Sequence, residues 1–310
     1  MITYDKLRTD EKAFKALTGL TVVEFDVLYA KVEPVWVEAE KERLTRPDRQ
    51  RAIGAGAAYT LDLATQLVML FFWLRLYLTM TATGYFFSVD KATVSRNIDR
   101  LLPLLRQISD EEFQWPEPLG EGRRKGVDQA IREYSDVFAI VDATEQPVQR
   151  AQDDEKQRAH YSGKKKRHTR KTAIVVNEHG VIRDISSSTP GSVHDITHIR
   201  CSDILSRIPK DVGVIGDAGF DGLHKDLPEH SVATTHKARR NHPLSGDQKL
   251  INRELSNTRI IVENVLCHLK HFRILSERFR HHVDIYDDVF RTVAGVVNVR
   301  AKIRLATMTT

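Results

Sequence analysis

Two aspartates in the second half of the sequence each follow a short apolar run. Asp142 comes directly after VFAIV at 137–141, and Asp217 comes directly after VGVIG at 212–216. Short apolar runs of this length are typical of strands that are buried on both faces. If the two strands are neighbours in one sheet, the carboxylates lie close together and repel each other unless a cation lies between them. Hard carboxylate oxygens favour Mg²⁺ or Mn²⁺ over zinc as that cation.

A third acid, Glu263, lies in a predicted helix at 257–275. Arg259 and Lys270 share its helical stripe, one turn before it and two turns after it. This stripe runs beside the apolar stripe of the helix, which consists of Val262, Leu266 and Leu269. Glu263 is therefore expected at the border of a buried helix face, with basic side chains on both sides.

Each acid also has a simpler interpretation. Asp142 and Glu145 have the spacing of a capping box, in which they would only cap a turn. Asp217 lies between glycines and has the surroundings of an ordinary turn residue. Glu263 and Arg259 have the spacing of a surface ion pair, which contributes about 0.3–0.5 kcal/mol to stability. Taken singly, the three acids do not decide between these interpretations and a shared metal site.

Two predicted strands are separated by a basic stretch, KQRAHYSGKKKRHTRK at 156–171, which contains eight Lys or Arg residues and no acid. A solvated loop is one interpretation of this stretch. Its position between core strands favours another, a clamp for DNA phosphates near the acids. We assign that contact to Lys164, Lys165, Lys166, Arg167, His168 and Arg170.

A pair of histidines, His194 and His198, has the spacing of metal ligands on one helix face, but no third ligand is evident. Ser192 and Asp195 have the spacing of a capping box for a helix at 194–207. A zinc site is therefore not predicted in this segment.

The first hundred residues are predicted to be helical. An apolar helix at about 60–78 is followed by a break at TMTATGYF, with Gly84 as the expected turn residue, and by a helix that Ser88 or Asp90 caps. This succession is typical of a helix-turn-helix DNA reader, although an ordinary helical hairpin has the same pattern. The outward-facing residues that we assign to DNA contact are Lys91, Thr93, Arg96, Asn97 and Arg100.

Three regions follow one another along the sequence. Residues 1–110 form a helical N-terminal region with the helix-turn-helix module at about 60–107, and residues 111–136, rich in Pro, Gly and charge, form a linker. Residues 137–310 carry strand patterns interspersed with helices. The predicted strands are 137–141, 172–178, 180–188 and 212–219. This order predicts an α/β domain with a mixed sheet and flanking helices, preceded by an all-α domain.

Composition narrows the class of protein. The 310 residues are 41% hydrophobic and 29% charged, as in ordinary globular chains, and the net charge of +5 suits a polyanionic partner. The two cysteines exclude a disulfide framework and fit a reducing cytoplasm. The most apolar run, LVMLFFWL, ends at Arg75, and a membrane span needs about 20 residues. No membrane association is predicted.

Several motifs occur in an order that is similar to a known family. They are VDATEQPVQR, HYSGKKKRHTRK, STPGSVHD, GDAGFDG and RIIVENVLCHLKHFRIL, and they cover roughly residues 137–280. In these stretches the sequence resembles the DDE transposases of the Harbinger/PIF-like and related bacterial insertion-sequence group. Its segment at about 60–107 resembles the helix-turn-helix module of that group. The resemblance implies an RNase H-like core in which Asp142, Asp217 and Glu263 are the catalytic, metal-binding residues. It also implies supporting roles for Arg259, Lys270 and Asp195.

One position departs from the family pattern. Bacterial relatives often carry YxxRxxxExxxxxxK around the last acid. Arg259, Glu263 and Lys270 match this pattern, and Ser256 stands at the position of the tyrosine. A role of that tyrosine in holding DNA is therefore not carried over to this chain.

The resemblance implies cut-and-paste transposition. Two divalent ions, Mg²⁺ or Mn²⁺, about 3.5–4 Å apart would activate water, neutralise the phosphate and stabilise the leaving oxygen, with Asp142 as the ligand shared by both. The expected partners are double-stranded DNA, as terminal inverted repeats and as target, and a second copy of the chain in a homodimer on DNA. The expected location is the cytoplasm, on the nucleoid if the chain is bacterial. Two alternatives stay open: a transposase-derived DNA-binding protein without catalysis, and a metal-dependent DNA endonuclease that lacks strand transfer.

Overall fold

The computed structural model describes residues 1–45, 59–115, 138–238 and 243–308. The chain divides into two compact units. The first contains Met1–Glu111, Leu269–Glu277 and Val283–Ile303, and the second contains Glu112–His268, Arg278–His282 and Arg304–Thr310. Nearly all of the linker predicted at 111–136 lies outside the described residues.

Helices make up the first unit. Its N-terminal part contains α1 (Tyr4–Leu7), α2 (Glu11–Thr18), α3 (Val22–Leu44), α4 (Leu63–Leu76), α5 (Met80–Phe87) and α6 (Lys91–Glu111). The apolar run predicted as a core helix lies in α4, where every residue from Thr65 to Leu74 is buried. Asp62 caps α4 by accepting a hydrogen bond from the backbone N–H of Thr65 at 2.6 Å. Among the residues described, no helix combines the length and the apolar character needed to cross a lipid bilayer.

The turn between α5 and α6 differs from the predicted one. Gly84 lies inside α5, and Ser88 turns the chain with a φ of +55°. A Cβ at Gly84 would lie 2.4 Å from the carbonyl oxygen of Val89, so glycine is needed there for close packing and not for the turn. The predicted cap of α6 is confirmed, because Asp90 accepts a hydrogen bond from the N–H of Thr93 at 2.6 Å.

A mixed sheet forms the centre of the second unit. Its strands are β1 (Phe138–Pro147), β2 (Tyr161–Ser162), β3 (Arg167–Asn177), β4 (Ile182–Ile185), β5 (Thr189–Pro190), β6 (Gly213–Gly216) and β7 (Val232–Thr234). The strand order is β2-β3-β1-β6-β7, and β4 and β5 also pair with β3. β1 is antiparallel to β3 and parallel to β6, and β6 is parallel to β7. The predicted mixed sheet is confirmed.

The helices that accompany this sheet are α7 (Asp154–His160), α8 (Asp195–Arg200), α9 (Leu223–Asp226) and α10 (Gly246–Lys270). One sheet face packs its small and β-branched residues, such as Ala139 and Val175, against Ile199 of α8 and Leu223 of α9. α8 is shorter than the helix predicted at 194–207. The predicted capping box is wrong, because the N-cap residue of α8 is His194 and it makes no side-chain cap hydrogen bond.

The last helices of the chain, α11 (Arg273–Ser276) and most of α12 (Tyr286–Met308), belong to the first unit. α12 packs against α6 so closely that a Cβ at Gly295 would lie 2.2 Å from Oγ of Ser109. An ion pair at 2.7 Å also joins Arg291 of α12 to Asp110 of α6. Two segments of the region that was expected to form one domain, 137–310, therefore complete the first unit.

Candidate active site

The register of β1 and β6 brings the two aspartates together. Parallel pairing between these strands ends with Val141 opposite Gly216, and Asp142 and Asp217 are the next residue of each. β1 continues beyond this point, because its antiparallel pairing with β3 runs on to Pro147. Asp142 therefore lies within its strand and not at the predicted strand end, and it does not take part in a capping box.

Local hydrogen bonds fix both carboxylates. Oδ1 of Asp142 accepts a hydrogen bond from the N–H of Ala143 at 2.8 Å. Asp217 caps a short 3₁₀ turn at Ala218–Phe220, and its Oδ1 accepts a hydrogen bond from the N–H of Gly219 at 2.5 Å. Each aspartate thus keeps Oδ2 for other partners.

Arg259 of α10 lies among the three predicted acids, which we call the acidic cluster: Asp142, Asp217 and Glu263. Its Nη2 atom is 3.8 Å from Oδ2 of Asp142 and 3.8 Å from Oδ2 of Asp217. The same atom is 3.9 Å from Oε1 of Glu263. Because all three oxygens lie near one nitrogen atom, no two of them are more than about 8 Å apart, a span that carboxylates around a pair of ions can have.

The members of the acidic cluster differ in exposure. The side chain of Asp142 is 16% exposed, that of Asp217 35% and that of Glu263 59%. Burial raises the pKa of Asp142 to about 6. The N–H of Ala143 and the charge of Arg259 oppose this rise, whereas the negative charges of Asp217 and Asp195 add to it. The cluster therefore carries more negative charge than one guanidinium balances.

The acidic cluster fits a divalent cation in its donor chemistry, since all its donors are carboxylate oxygens. In this structure the central place among them belongs to Arg259, and the described part of the chain has no group of three His, Cys, Asp or Glu side chains arranged to hold a metal. The Nε atom of Arg259 is buried and makes no hydrogen bond within the described residues. The contacts of Nη2 with the three carboxylates, at 3.8–3.9 Å, are longer than hydrogen bonds and are therefore electrostatic.

A fourth carboxylate borders the cluster. A Cβ at Gly219 would lie 2.7 Å from Oδ1 of Asp217 and 3.6 Å from Oδ2 of Asp195, so both carboxylates line the same small space. Oδ1 of Asp195 is 2.6 Å from Nζ of Lys171, a lysine that is only 4% exposed. The sequence places Lys171 in the basic stretch at 156–171, and the structure shows that it faces inward from β3.

Other predicted site residues lie apart from these contacts. Lys270, the last residue of α10, is exposed and lies about 10 Å along the helix axis from Glu263. Ser256 is exposed one turn before Arg259. His198 is buried, and its two ring nitrogens lie 2.9 Å from Oγ of Ser186 and 2.8 Å from Oγ1 of Thr189. The histidine pair with His194 is therefore not available as a metal site.

The basic stretch forms a hairpin whose tip lies beyond β2 and the start of β3, and we call residues 161–168 the basic hairpin. Its exposed cations are Lys164, Lys165, Lys166 and Arg167, and His168 is half-buried beside Tyr161. Arg170 differs from the others, because its guanidinium donates hydrogen bonds to Oγ and the carbonyl oxygen of Ser188 at 2.9 and 3.0 Å. β3 pairs Ile174 with Asp142, which places Arg167 about 23 Å along the strand from the acids.

The helix-turn-helix residues divide into outward-facing and buried ones. Lys91 and Arg96 are exposed, and Thr93 is half-buried. Arg100 is half-buried, and it donates a hydrogen bond at 3.2 Å to the hydroxyl of Tyr59. The expectation that Asn97 faces DNA is wrong: its side chain is 4% exposed and its Nδ2 donates to the carbonyl oxygen of Gln66 at 2.9 Å. Asn97 is three residues after Val94 and four before Leu101, so its spacing is that of the buried stripe of α6, which packs against α4.

Comparison with known proteins adds evidence that is independent of this geometry. A family model described as DDE superfamily endonuclease matches residues 141–298, and one described as helix-turn-helix of DDE superfamily endonuclease matches residues 59–110. The chain is 26% identical over 289 residues to a probable transposase for insertion sequence element IS702 of Microchaete diplosiphon, covering 93% of this chain and 94% of that one. It is 32% identical over 124 residues to the transposase for insertion sequence element IS1106 of Neisseria meningitidis serogroup B, covering 39% of this chain and 38% of that one. No solved structure shows a significant match.

The raised pKa of Asp142 gives a pH-dependent prediction for the protein without divalent ions. The folded-state value of about 6 lies above the ordinary value of 3.8. The folded protein therefore binds more protons than the unfolded chain between these two values, and its stability falls as pH rises through them. Asp142→Asn removes this loss. It should be more stable than the wild type by up to about 3 kcal/mol above pH 7, and the difference should disappear below about pH 4.

Urea unfolding in EDTA at about pH 4, 5.5 and 7.5 measures this difference. Glu254→Gln, an exposed acid on α10 outside the cluster, is the matched control and should show no such trend. An equal effect of Asp142→Asn at all three pH values would contradict the prediction.

Proposed function

The chain belongs to the DDE superfamily of endonucleases, and we propose that it moves a DNA element by cut-and-paste transposition. The observation that carries the proposal is the convergence of three carboxylates, distant in sequence, on one guanidinium at the end of β6. The match of residues 59–110 to a helix-turn-helix model supports DNA binding by this enzyme. The similarity to insertion-sequence transposases supports the mobile element as its substrate.

We propose that Asp142, Asp217 and Glu263 hold two divalent ions, Mg²⁺ or Mn²⁺. When bound, such ions supply an activated water, neutralise phosphate charge and stabilise the leaving oxygen. Asp142 is the best candidate for the shared ligand, since it is the most buried of the three and its strand is fixed by pairing. Glu263 is the most exposed and is free to adjust to the substrate.

Arg259 then acts on the DNA. Once divalent ions balance the carboxylates, its guanidinium no longer has to do so, and its planar donors match a phosphate. We propose that Arg259 binds a phosphate next to the cleaved bond, with support from Lys270. Asp195 would line the same site, beside Gly219.

Strand transfer uses the same site. Hydrolysis of one phosphodiester bond releases a 3′-OH at the element end. That hydroxyl attacks a phosphodiester bond of target DNA, one P–O bond forms as another breaks, and the hydroxyl proton passes to solvent. Because bond number is conserved, the step needs no covalent enzyme intermediate and no external energy source.

Two element ends must meet for insertion at one target. We therefore propose a homodimer on DNA, with terminal inverted repeats bound by the helix-turn-helix of each copy. We further propose that the enzyme acts in the cytoplasm, on the nucleoid if the cell is bacterial.

Cleavage should depend on each member of the acidic cluster. With end-labelled DNA carrying the element terminus and Mg²⁺ or Mn²⁺, we expect Asp142→Asn and Glu263→Gln to lower the cleavage rate at least about a thousandfold, the effect of losing several kcal/mol of transition-state stabilisation. Glu254→Gln should cleave like the wild type. Unimpaired cleavage by Asp142→Asn would refute the proposed site.

The strand-transfer step has its own readout. A pre-cut element end should join to plasmid DNA in the same reaction, and gel electrophoresis detects the joined product. Metal-dependent cleavage without joining would identify an endonuclease that lacks strand transfer. DNA binding without either reaction would identify a DNA-binding protein that has lost catalysis.

A neighbouring pair in α6 tests the helix-turn-helix assignment. Arg96→Ala should weaken binding to the element end about tenfold or more and leave thermal stability unchanged, because Arg96 is exposed. Asn97→Ala should lower stability by about 1–2 kcal/mol through loss of a buried hydrogen bond, with little change in the affinity of the folded protein. Fluorescence anisotropy and thermal unfolding separate these effects, and the opposite pattern would contradict the assignment.

The basic hairpin should bind the DNA flank in a salt-dependent manner. Replacing Lys164, Lys165 and Lys166 by Gln should lower the slope of log affinity against log salt by about one for each phosphate that the variant no longer neutralises. Lys210→Gln, which removes an exposed lysine paired with Glu229 at 2.5 Å, is the control. The protected DNA should lie about seven base pairs from the cleaved bond, since 23 Å spans that length at about 3.4 Å per pair. An unchanged salt slope would rule out the basic hairpin as a DNA contact.

A further inference from the structure

A lysine buried in the sheet is an unusual feature of the second unit. Lys171 is 4% exposed, although ammonium groups are rarely buried unless they are paired. Its Nζ atom lies 2.6 Å from Oδ1 of Asp195 and 3.7 Å from Oε1 of Glu145. It also donates a hydrogen bond to the carbonyl oxygen of Val193 at 2.5 Å. These partners offset the free-energy cost of burying the ammonium group.

The partners of Lys171 come from separate elements. Glu145 is its register partner on β1, and a second oxygen of Glu145 accepts a hydrogen bond from the hydroxyl of Thr169 at 2.8 Å. Val193 and Asp195 flank the start of α8. Lys171 therefore fixes the beginning of α8 to the two central strands of the sheet.

The link from Lys171 to the acidic cluster runs through Asp195. Glu145 is three residues from Asp142 in one strand, so their side chains lie on opposite sheet faces, and Lys171 shares the face of Glu145. Asp195 uses Oδ1 for Lys171, whereas its Oδ2 borders the space at Gly219 that Asp217 also lines. Oδ1 is anchored by Lys171, Oδ2 lies beside Gly219 in the turn that Asp217 caps, and the charge of Asp195 is felt at Asp142.

We propose that Lys171 is a positioning residue, which holds Asp195 so that its free oxygen completes the divalent-cation site as a fourth carboxylate. The proposal rests on the proposed function, because it requires that the acidic cluster binds divalent ions. It assigns a task to a basic residue that does not contact DNA.

Two possible roles of Lys171 predict opposite changes in divalent-cation affinity when the lysine is removed. If Lys171 acts only as a nearby positive charge, removing it lowers the local repulsion and tightens binding of a divalent ion. If it positions Asp195, removing it frees this carboxylate to turn toward water and weakens binding. Loss of an outer partner of a metal site typically costs about 10–100-fold in affinity.

The experiment is a titration of the full-length chain with Mn²⁺ alone, followed by electron paramagnetic resonance of the free ion. Lys171→Met should weaken Mn²⁺ binding about 10–100-fold, and Asp195→Asn should do the same. The double variant K171M/D195N should be no weaker than D195N by more than about threefold, because both changes remove one contribution. Glu145→Gln, which keeps the acceptor for Thr169, is the matched control and should bind Mn²⁺ like the wild type.

A folding defect in Lys171→Met would come from leaving Glu145 and Asp195 without their cation. The variant K171M/E145Q removes the ammonium together with one of these charges and serves as the second test, with the same expected loss of Mn²⁺ affinity. Affinity in K171M/E145Q that equals or exceeds that of the wild type would overturn the proposal. Additive losses in K171M/D195N would also overturn it.

Failure of the proposed function gives a different result. If the wild type binds no Mn²⁺, or if Asp142→Asn leaves binding intact, the acidic cluster is not the cation site and both proposals fall. If wild-type binding is strong and sensitive to Asp142→Asn but indifferent to Lys171, only the positioning role is wrong.

Discussion

The register of one parallel strand pair determines the site. β6 is a four-residue strand that pairs with β1 only as far as Val141 and Gly216, while β1 continues alongside β3 for six more residues. Asp142 is thus held in a paired strand, and Asp217 lies at the turn that follows β6, where the N–H of Gly219 holds its carboxylate beside the same space. A slip of one residue in this pairing would send one of the two side chains to the opposite face of the sheet. Backbone hydrogen bonding therefore sets the spacing of the acids before any ligand arrives.

Close carboxylates require compensating charge, and the second unit supplies it from two sides. Arg259 reaches the acidic cluster from α10, and Lys171 reaches Asp195 from β3. Burial and mutual repulsion keep the pKa of Asp142 near 6 in spite of Arg259, so the balance is incomplete. The apolar sheet face that packs against α8 and α9 opposes this repulsion, because its burial stabilises the strands that carry the acids. Binding of a multivalent cation would therefore stabilise the folded protein.

Much of this arrangement can be predicted from the residues, and the failures share a cause. Apolar runs followed by Asp142 and Asp217, and the stripe that carries Glu263, report local preferences that the fold keeps. The structure buries Asn97 against Gln66 of α4, and the spacing of Asn97 from Val94 and Leu101 already belongs to the buried stripe of α6. It also engages Arg170 with Ser188, a contact that strand spacing does not encode. Gly84 lies inside a helix, and glycine is needed there because the carbonyl oxygen of Val89 occupies the room that a side chain would fill. Charge counts cannot distinguish Lys171 from the exposed lysines five to seven residues before it, since that difference depends on which elements fold over the strand.

The C-terminal part of the chain returns to the first unit, and this has a consequence for the evolution of the gene. α12 closes against α6 near Gly295 and Ser109, so the all-helical unit draws on both halves of the coding sequence. A frameshift or stop codon in the catalytic half would remove α12 along with the acids, and the remaining fragment would lack part of its own core. Decayed copies of the gene would therefore not readily produce a stable fragment that competes for the element ends, and selection on the intact copy acts on the reading frame as a whole.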